Sequence, residues 1–167
     1  CIRDRSGCRM GCTFCHTGRM GFNSQLGVDE ILIQLMFIPE RKSVNRLVLM
    51  GMGEPLDNWE NVMKALTILN AEWGFSFGAS NITLSSVGIC AGLRQIIETR
   101  LCNLAISLHS PWSHERRRMV PAERVNPIER IVGILLSHPV AKPLRLSFEY
   151  VVIPGVNASA QHAQGVV

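Results

Sequence analysis

The sequence has no apolar run of about eighteen residues, so it offers no segment that could cross a membrane as a helix. Cys1-Ile2-Arg3-Asp4-Arg5 is charged and is not expected to be a signal peptide. Low-complexity tracts and internal repeats are also missing. Lysine is scarce, with three against fourteen arginines, and the net charge is only +4. A mild positive excess is compatible with a nucleic-acid partner but does not decide the substrate. The first residue is not Met, and the chain opens almost on top of its densest motif. A piece of a longer protein is therefore expected.

What is present suffices for one domain. The 167 residues are 47% hydrophobic, enough to bury a sizeable core. Six cysteines stand at positions 1, 8, 12, 15, 90 and 102, and three of them are clustered. That distribution suits metal chemistry in a reducing cytoplasm better than a disulfide scaffold.

The cluster is Cys8-Arg9-Met10-Gly11-Cys12-Thr13-Phe14-Cys15, with spacing C-x3-C-x2-C. Thiolates are soft ligands suited to iron–sulfur clusters, zinc or Cu(I). Three thiolates on a 4Fe–4S cluster leave one iron free to bind a small molecule, and Gly11 allows the tight turn that aims the sulfurs inward. Three rivals use the same residues. With His16, the thiols make a Cys3His zinc site, although adjacent Cys15 and His16 rarely reach one tetrahedral ion. Cys12 to His16 also reads C-x-x-C-H, a haem attachment signature that leaves Cys8 idle. The blandest alternative is three buried structural thiols.

Along the chain, short apolar runs alternate with amphipathic stretches. Expected strands are the end of Cys1 to Arg5, then Arg46 to Met50, Asn81 to Ser85, Asn103 to His109 and Arg145 to Ile153. Expected helices are Asp29 to Ile38, Asn58 (as cap) to about Trp73, a segment ending near Glu98, a polar segment within Trp112 to Arg124, Pro127 to Ser137, and a last one from about Ala158. Thr17 to Phe22 reads as loop. Such alternation implies a parallel sheet with crossover helices, too short for a full eightfold barrel. The fold class is α/β, either an open sheet or an incomplete barrel. Ligands then sit at the carboxyl ends of the strands.

That rule gathers the cysteine loop, Gly51-Met52-Gly53-Glu54-Pro55, Ser85-Ser86 and Ser107-Leu108-His109 on one rim. Singly, a Gly-x-Gly is more often a tight turn, a strand-end serine often satisfies backbone groups, and a histidine can be a core residue. Arg116-Arg117-Arg118 reads as a solvated helix face in preference to a phosphate site.

Taken together, Gly7 to Cys15, Thr17-Gly18, Gly21-Phe22, Met50 to Leu56, Thr83-Leu84-Ser85, Ala105 to His109 and Val120-Pro121 resemble the RlmN/Cfr family of radical S-adenosylmethionine (radical SAM) RNA methyltransferases. The resemblance runs from Cys1 to Glu149-Tyr150-Val151. It implies an incomplete (β/α)6-type partial TIM barrel, a 4Fe–4S cluster on Cys8, Cys12 and Cys15, and S-adenosylmethionine on the open iron. Gly53 and Glu54 would meet the amino end of that ligand. Ser85, Ser107, Leu108 and His109 would hold its carboxylate and ribose end. One electron from the cluster would split the sulfonium to a 5′-deoxyadenosyl radical. The implied substrate is adenine C2 in large-subunit ribosomal RNA (rRNA), with transfer RNA (tRNA) as a second target. The implied setting is a cytoplasmic monomer served by a flavodoxin- or ferredoxin-type electron donor.

The sequence also departs from the family. Residues 1–167 read as the radical SAM core alone, without the N-terminal RNA-binding accessory domain, the sixth strand and the later methyl-carrying cysteine. Cys1, Cys90 and Cys102 do not stand where that cysteine belongs, so the fragment alone is not expected to complete methyl transfer. Asn23 to Gly27 replaces an Arg-Asn-Leu-Thr-like run. The competing functions are another radical SAM enzyme, acting on protein or a small molecule, and a non-catalytic zinc or iron–sulfur module.

Overall fold

The computed structural model describes residues 1–167. Its first ladder lies outside the expected parallel sheet. Arg5–Gly7 (β1) pairs antiparallel with Phe22–Gln25 (β2), and the cysteine loop with one helical turn, His16–Arg19 (α1), closes the hairpin. Residues 22–25 therefore form a strand where the sequence suggests loop. After half-buried Phe22, their side chains are polar and exposed and carry no alternation that would announce one. The expected first strand forms no strand of the main sheet, but the Ile2 amide donates to the Val48 carbonyl at 2.9 Å and its side chain joins the core.

The α/β pattern then follows the apolar runs. Val28–Met36 (α2) begins where the Glu30 side chain accepts from the Gly27 amide at 2.8 Å. Leu47–Leu49 (β3), Trp59–Asn70 (α3), Ile82–Ser86 (β4), Cys90–Thr99 (α4) and Asn103–Ser107 (β5) come next. Ser113–Met119 (α5), Ile128–Ser137 (α6), Leu146–Glu149 (β6) and Ala160–Val166 (α7) complete the chain. The four later strands form one parallel sheet, ordered β3-β4-β5-β6. Leu49 pairs with Leu84, Ser86 with Ile106, and Ser107 with Glu149. The chain thus has the α/β architecture of parallel strands and crossover helices, with a four-stranded main sheet.

The periodicity explains the packing. Val62, Ala65, Leu66 and Leu69 line one face of α3, while Ile128, Ile131 and Leu135 line one face of α6. They meet Leu47, Leu49, Ile82, Leu84, Leu104 and Ile106 in a core of 22 buried residues. Each fully buried Val, Leu or Ile among them contributes about 1.5–3 kcal/mol by leaving water. Asn58 stands at the cap position of α3 but does not cap it. Its side-chain amide donates to the carbonyls of Asp4 (2.7 Å) and Leu26 (2.9 Å), tying the hairpin to the helix start. Pro127 is likewise the residue before α6, not its first.

Candidate functional site

Past the carboxyl ends of β3 to β6 lies a cavity of about 140 Å³. Gly53, Glu54, Ser85, Ser107 and Glu149 line it. Two further residues named from sequence, Leu108 and His109, continue the chain beyond β5 and are absent from this lining. Leu108 faces a neighbouring cavity of about 510 Å³ with Pro111, Ile128 and Phe148. The rim therefore brings together four of the six expected cofactor residues.

Glu54 is buried and fully engaged. One carboxylate oxygen accepts from the Leu56 amide (3.2 Å) and the Ser86 hydroxyl (2.6 Å), and the other accepts from the Val87 amide (2.7 Å). Burial still dominates and pushes its pKa up to about 7, against these three donors. Gly53 has φ +127°, and a Cβ there would run into the Arg5 side chain. Only glycine fits both demands. Arg5 is itself buried, pairs with Asp4 and Asp57, and donates to the Glu54 carbonyl. The Gly-Met-Gly-Glu-Pro turn is thereby locked to the strand that leads into the cysteine loop.

The Ser85 hydroxyl donates to Glu149 at 2.7 Å, across two strands. His109 is buried with a left-handed backbone (φ 61°). Its Nδ1 accepts from the Val151 amide at 3.1 Å, and its ring meets Phe14 edge-on at 4.8 Å between centroids. Burial lowers its pKa to about 4, helped by the nearby Arg116 charge, so the ring is neutral near pH 7.

The cysteine loop lies on the same side. Gly11 takes φ +64°, the turn that the spacing requires. The Thr13 amide donates to the Met119 carbonyl at 2.9 Å, and Cys12 packs with Met119 and Val120. All six cysteines are free thiols. Burial pushes Cys8 up and Cys12 to about 12, and both Cys8 and Cys15 add to the rise at Cys12. The three sulfurs are thus close enough to repel as thiolates, and a bound cation would reverse that cost. No group of three side chains is arranged around one point as a single ion needs. A cluster instead binds each thiolate at a different iron, and three soft donors on one loop fit that demand.

The arginine triplet departs from its sequence reading. Arg117 and Arg118 are exposed, but Arg116 is fully buried and paired with Glu123. Ser86, placed on the rim from sequence, lines the cavity as expected, whereas Arg5, Glu149 and Asn157 carry no expected site role. Asn157 is buried, donates to the His109 carbonyl (2.7 Å) and the Val151 carbonyl (2.7 Å), and accepts from the Ile153 amide. The expected strand Arg145 to Ile153 leaves Glu149 in mid-strand; β6 instead ends at Glu149, level with Ser107, and that brings its carboxylate to the rim.

The chain thus combines a parallel α/β sheet, polar groups converging at its carboxyl rim, and three free thiols on one adjoining loop, the architecture of an α/β protein with its polar pocket at the strand ends. A family model described as the radical SAM superfamily matches residues 4–163, and the chain belongs to that superfamily. The chain is similar to the "Probable dual-specificity RNA methyltransferase RlmN" of Bacteroides fragilis, at 47% identity over 98% of this chain and 48% of that protein. It is also similar to the "Dual-specificity RNA methyltransferase RlmN" of Syntrophus aciditrophicus, at 39% identity over 98% and 48%. A crystal structure of a radical SAM methyltransferase from Sphaerobacter thermophilus superposes with a TM-score of 0.93 at 35% identity, covering 99% of this chain and 50% of that one. The chain spans about half the length of the curated relatives it matches. No helix is long and apolar enough to cross a membrane.

Proposed function

We propose that residues 1–167 are the radical SAM core of an RNA methyltransferase that modifies adenine C2 in large-subunit rRNA, with tRNA as a second substrate. In this reading Cys8, Cys12 and Cys15 hold a 4Fe–4S cluster, and S-adenosylmethionine occupies the rim formed by Gly53, Glu54, Ser85 and Ser107. The methyl-carrying cysteine and the RNA-binding accessory domain belong to the remainder of the full-length protein. The working setting is a cytoplasmic monomer reduced by a flavodoxin- or ferredoxin-type donor.

The observation that carries the reading is the convergence of the three-thiol loop with a polar cavity at the strand ends. When bound, the cluster and its ligand supply the one-electron chemistry and the methyl group. This chain's residues supply place and environment. Gly53 lets the backbone approach closely, and the engaged Glu54 keeps the Ser86–Val87 turn fixed, so the ligand meets a preformed rim. Neutral His109 and the Phe14 ring present an uncharged wall beside the loop. Leu108 and His109, expected to touch the ribose end, lie just beyond that rim.

Full-length protein, anaerobically reconstituted and supplied with a reductant, S-adenosylmethionine and unmodified rRNA, is expected to yield 2-methyladenosine in nuclease digests analysed by mass spectrometry. Radical products with no RNA modification, under conditions where S-adenosylmethionine is cleaved, would instead favour a protein or small-molecule substrate.

A further inference from the structure

We infer that Arg116, with Glu123, is a positioning couple for the S-adenosylmethionine cavity, fixing the gap between the exits of β4 and β5. The inference rests on the cofactor reading given above. The β4–β5 ladder ends at the Ser86–Ile106 pair. Just beyond it, the Val87 and Ser107 carbonyls both accept from a single Arg116 nitrogen, Nη2, at 2.7 and 2.8 Å. Nε donates to the next carbonyl, Leu108, at 3.0 Å. One guanidinium therefore replaces the next step of the ladder and bridges the two strand exits that line the cavity. Val87 is held from both sides, since its amide donates to Glu54. The chain of contacts runs from Glu54 through Val87 and Arg116 to Ser107, and three of these four residues line the cavity.

The remaining edge of the guanidinium is set by Glu123, through Nη1 and one carboxylate oxygen. The other oxygen accepts from the Ile128 amide at 2.9 Å, the first residue of α6. Both partners are 0% exposed. Stability alone is a weak reason for such a pair, because a buried ion pair is often replaceable by apolar residues at little cost. What apolar residues cannot do is present a planar fork of hydrogens to three carbonyls at fixed spacing, and neither can lysine. The adjacent Arg117 and Arg118 are exposed, so charge on α5 is not what the site requires.

The test uses reconstituted protein, with equilibrium affinity for S-adenosylmethionine measured beside Tm. Arg116→Lys is expected to weaken binding about ten- to hundredfold, the scale of charge-assisted hydrogen bonds lost or misplaced. The apolar double variant R116M/E123L is expected to fold with a similar loss of affinity. Leu69→Ala is the control: it opens the core near the amino ends of the strands, lowering Tm while leaving affinity unchanged. An affinity of R116K within twofold of the parent would overturn the positioning role, as would a loss that Leu69→Ala reproduces at equal loss of Tm. A parent protein that binds no S-adenosylmethionine would overturn the cofactor reading itself, and the positioning role with it. The two failures are thus distinguishable.

Discussion

The two ends of the parallel sheet differ in a way that size alone would misrepresent. At the amino ends of β3 and β4 lies a groove of about 580 Å³, lined by Leu35, Phe75 and Phe77 with Arg41 and Lys42 at its edge. Phe37 and Trp73 stand exposed at 78% and 77%. At the carboxyl ends the cavity is only about 140 Å³, yet Glu54, Ser85, Ser86 and Ser107 converge on it. Their polar contacts run among Glu54, Ser86, Val87, Glu149 and Arg116. The larger space offers surface, whereas the smaller one offers preorganised chemistry. Parallel sheets place function at the carboxyl end, and here it is the fixed polar groups that mark it.

The largest expected contrast concerns the cluster. Cys12→Ala should abolish the visible absorbance of anaerobically reconstituted protein, while its Tm measured without iron stays close to the parent's. A stoichiometric zinc content in the parent, without that absorbance, would break the assignment of the carboxyl end as a cluster site. Next in size, Leu69→Ala should cost about 2–5 kcal/mol in denaturant unfolding through the cavity it leaves. Because Leu69 is remote from the rim, S-adenosylmethionine affinity should not follow that loss.

The pH dependence sharpens the comparison, because Glu54 and His109, the buried groups with the largest shifts in the acid-to-neutral range, lie near the carboxyl end. Glu54 rises from 4.5 to about 7, so its stabilising contribution is full below pH 4.5 and is lost as pH rises through 7. His109 falls from 6.5 to about 4, so its contribution is full above pH 6.5 and is lost as pH falls through 4. The two slopes oppose one another between pH 4.5 and 6.5. Glu54→Gln should remove one of them, leaving a stability that rises with pH across that range by on the order of 3 kcal/mol. Unfolding curves from pH 4 to 7 check this, and a flat profile in the variant would refute it. The smallest effect belongs to the amino end. Trp73→Ala should change stability by no more than about 0.5 kcal/mol and leave cofactor affinity as it was.

Much of this arrangement is legible in the residues themselves. The runs Leu47–Leu49, Ile82–Ser86 and Asn103–Ser107 are apolar enough to announce buried parallel strands, and the strand-end rule puts the turns after them on one rim. Three things were hidden. The hairpin strand Phe22–Gln25 is polar and exposed beyond Phe22, so its pairing with Arg5–Gly7 depends on the backbone and leaves no pattern. Arg116 sits in a run of three like residues, and nothing local distinguishes the one that turns inward from the two that stay in water. Leu108 and His109 follow β5 directly, but the left-handed turn at His109 carries them past the rim, a change of direction that a strand-end rule does not foresee.

The measurement closest to the central claim is electron paramagnetic resonance of the anaerobically reconstituted, reduced protein, recorded with and without S-adenosylmethionine. If Cys8, Cys12 and Cys15 hold a cluster with one open iron beside the rim, a reduced 4Fe–4S signal will be present, and its g values will shift when S-adenosylmethionine is added. A signal that is unchanged by saturating S-adenosylmethionine, or no cluster signal at all in protein whose thiols are fully reduced, would contradict the account.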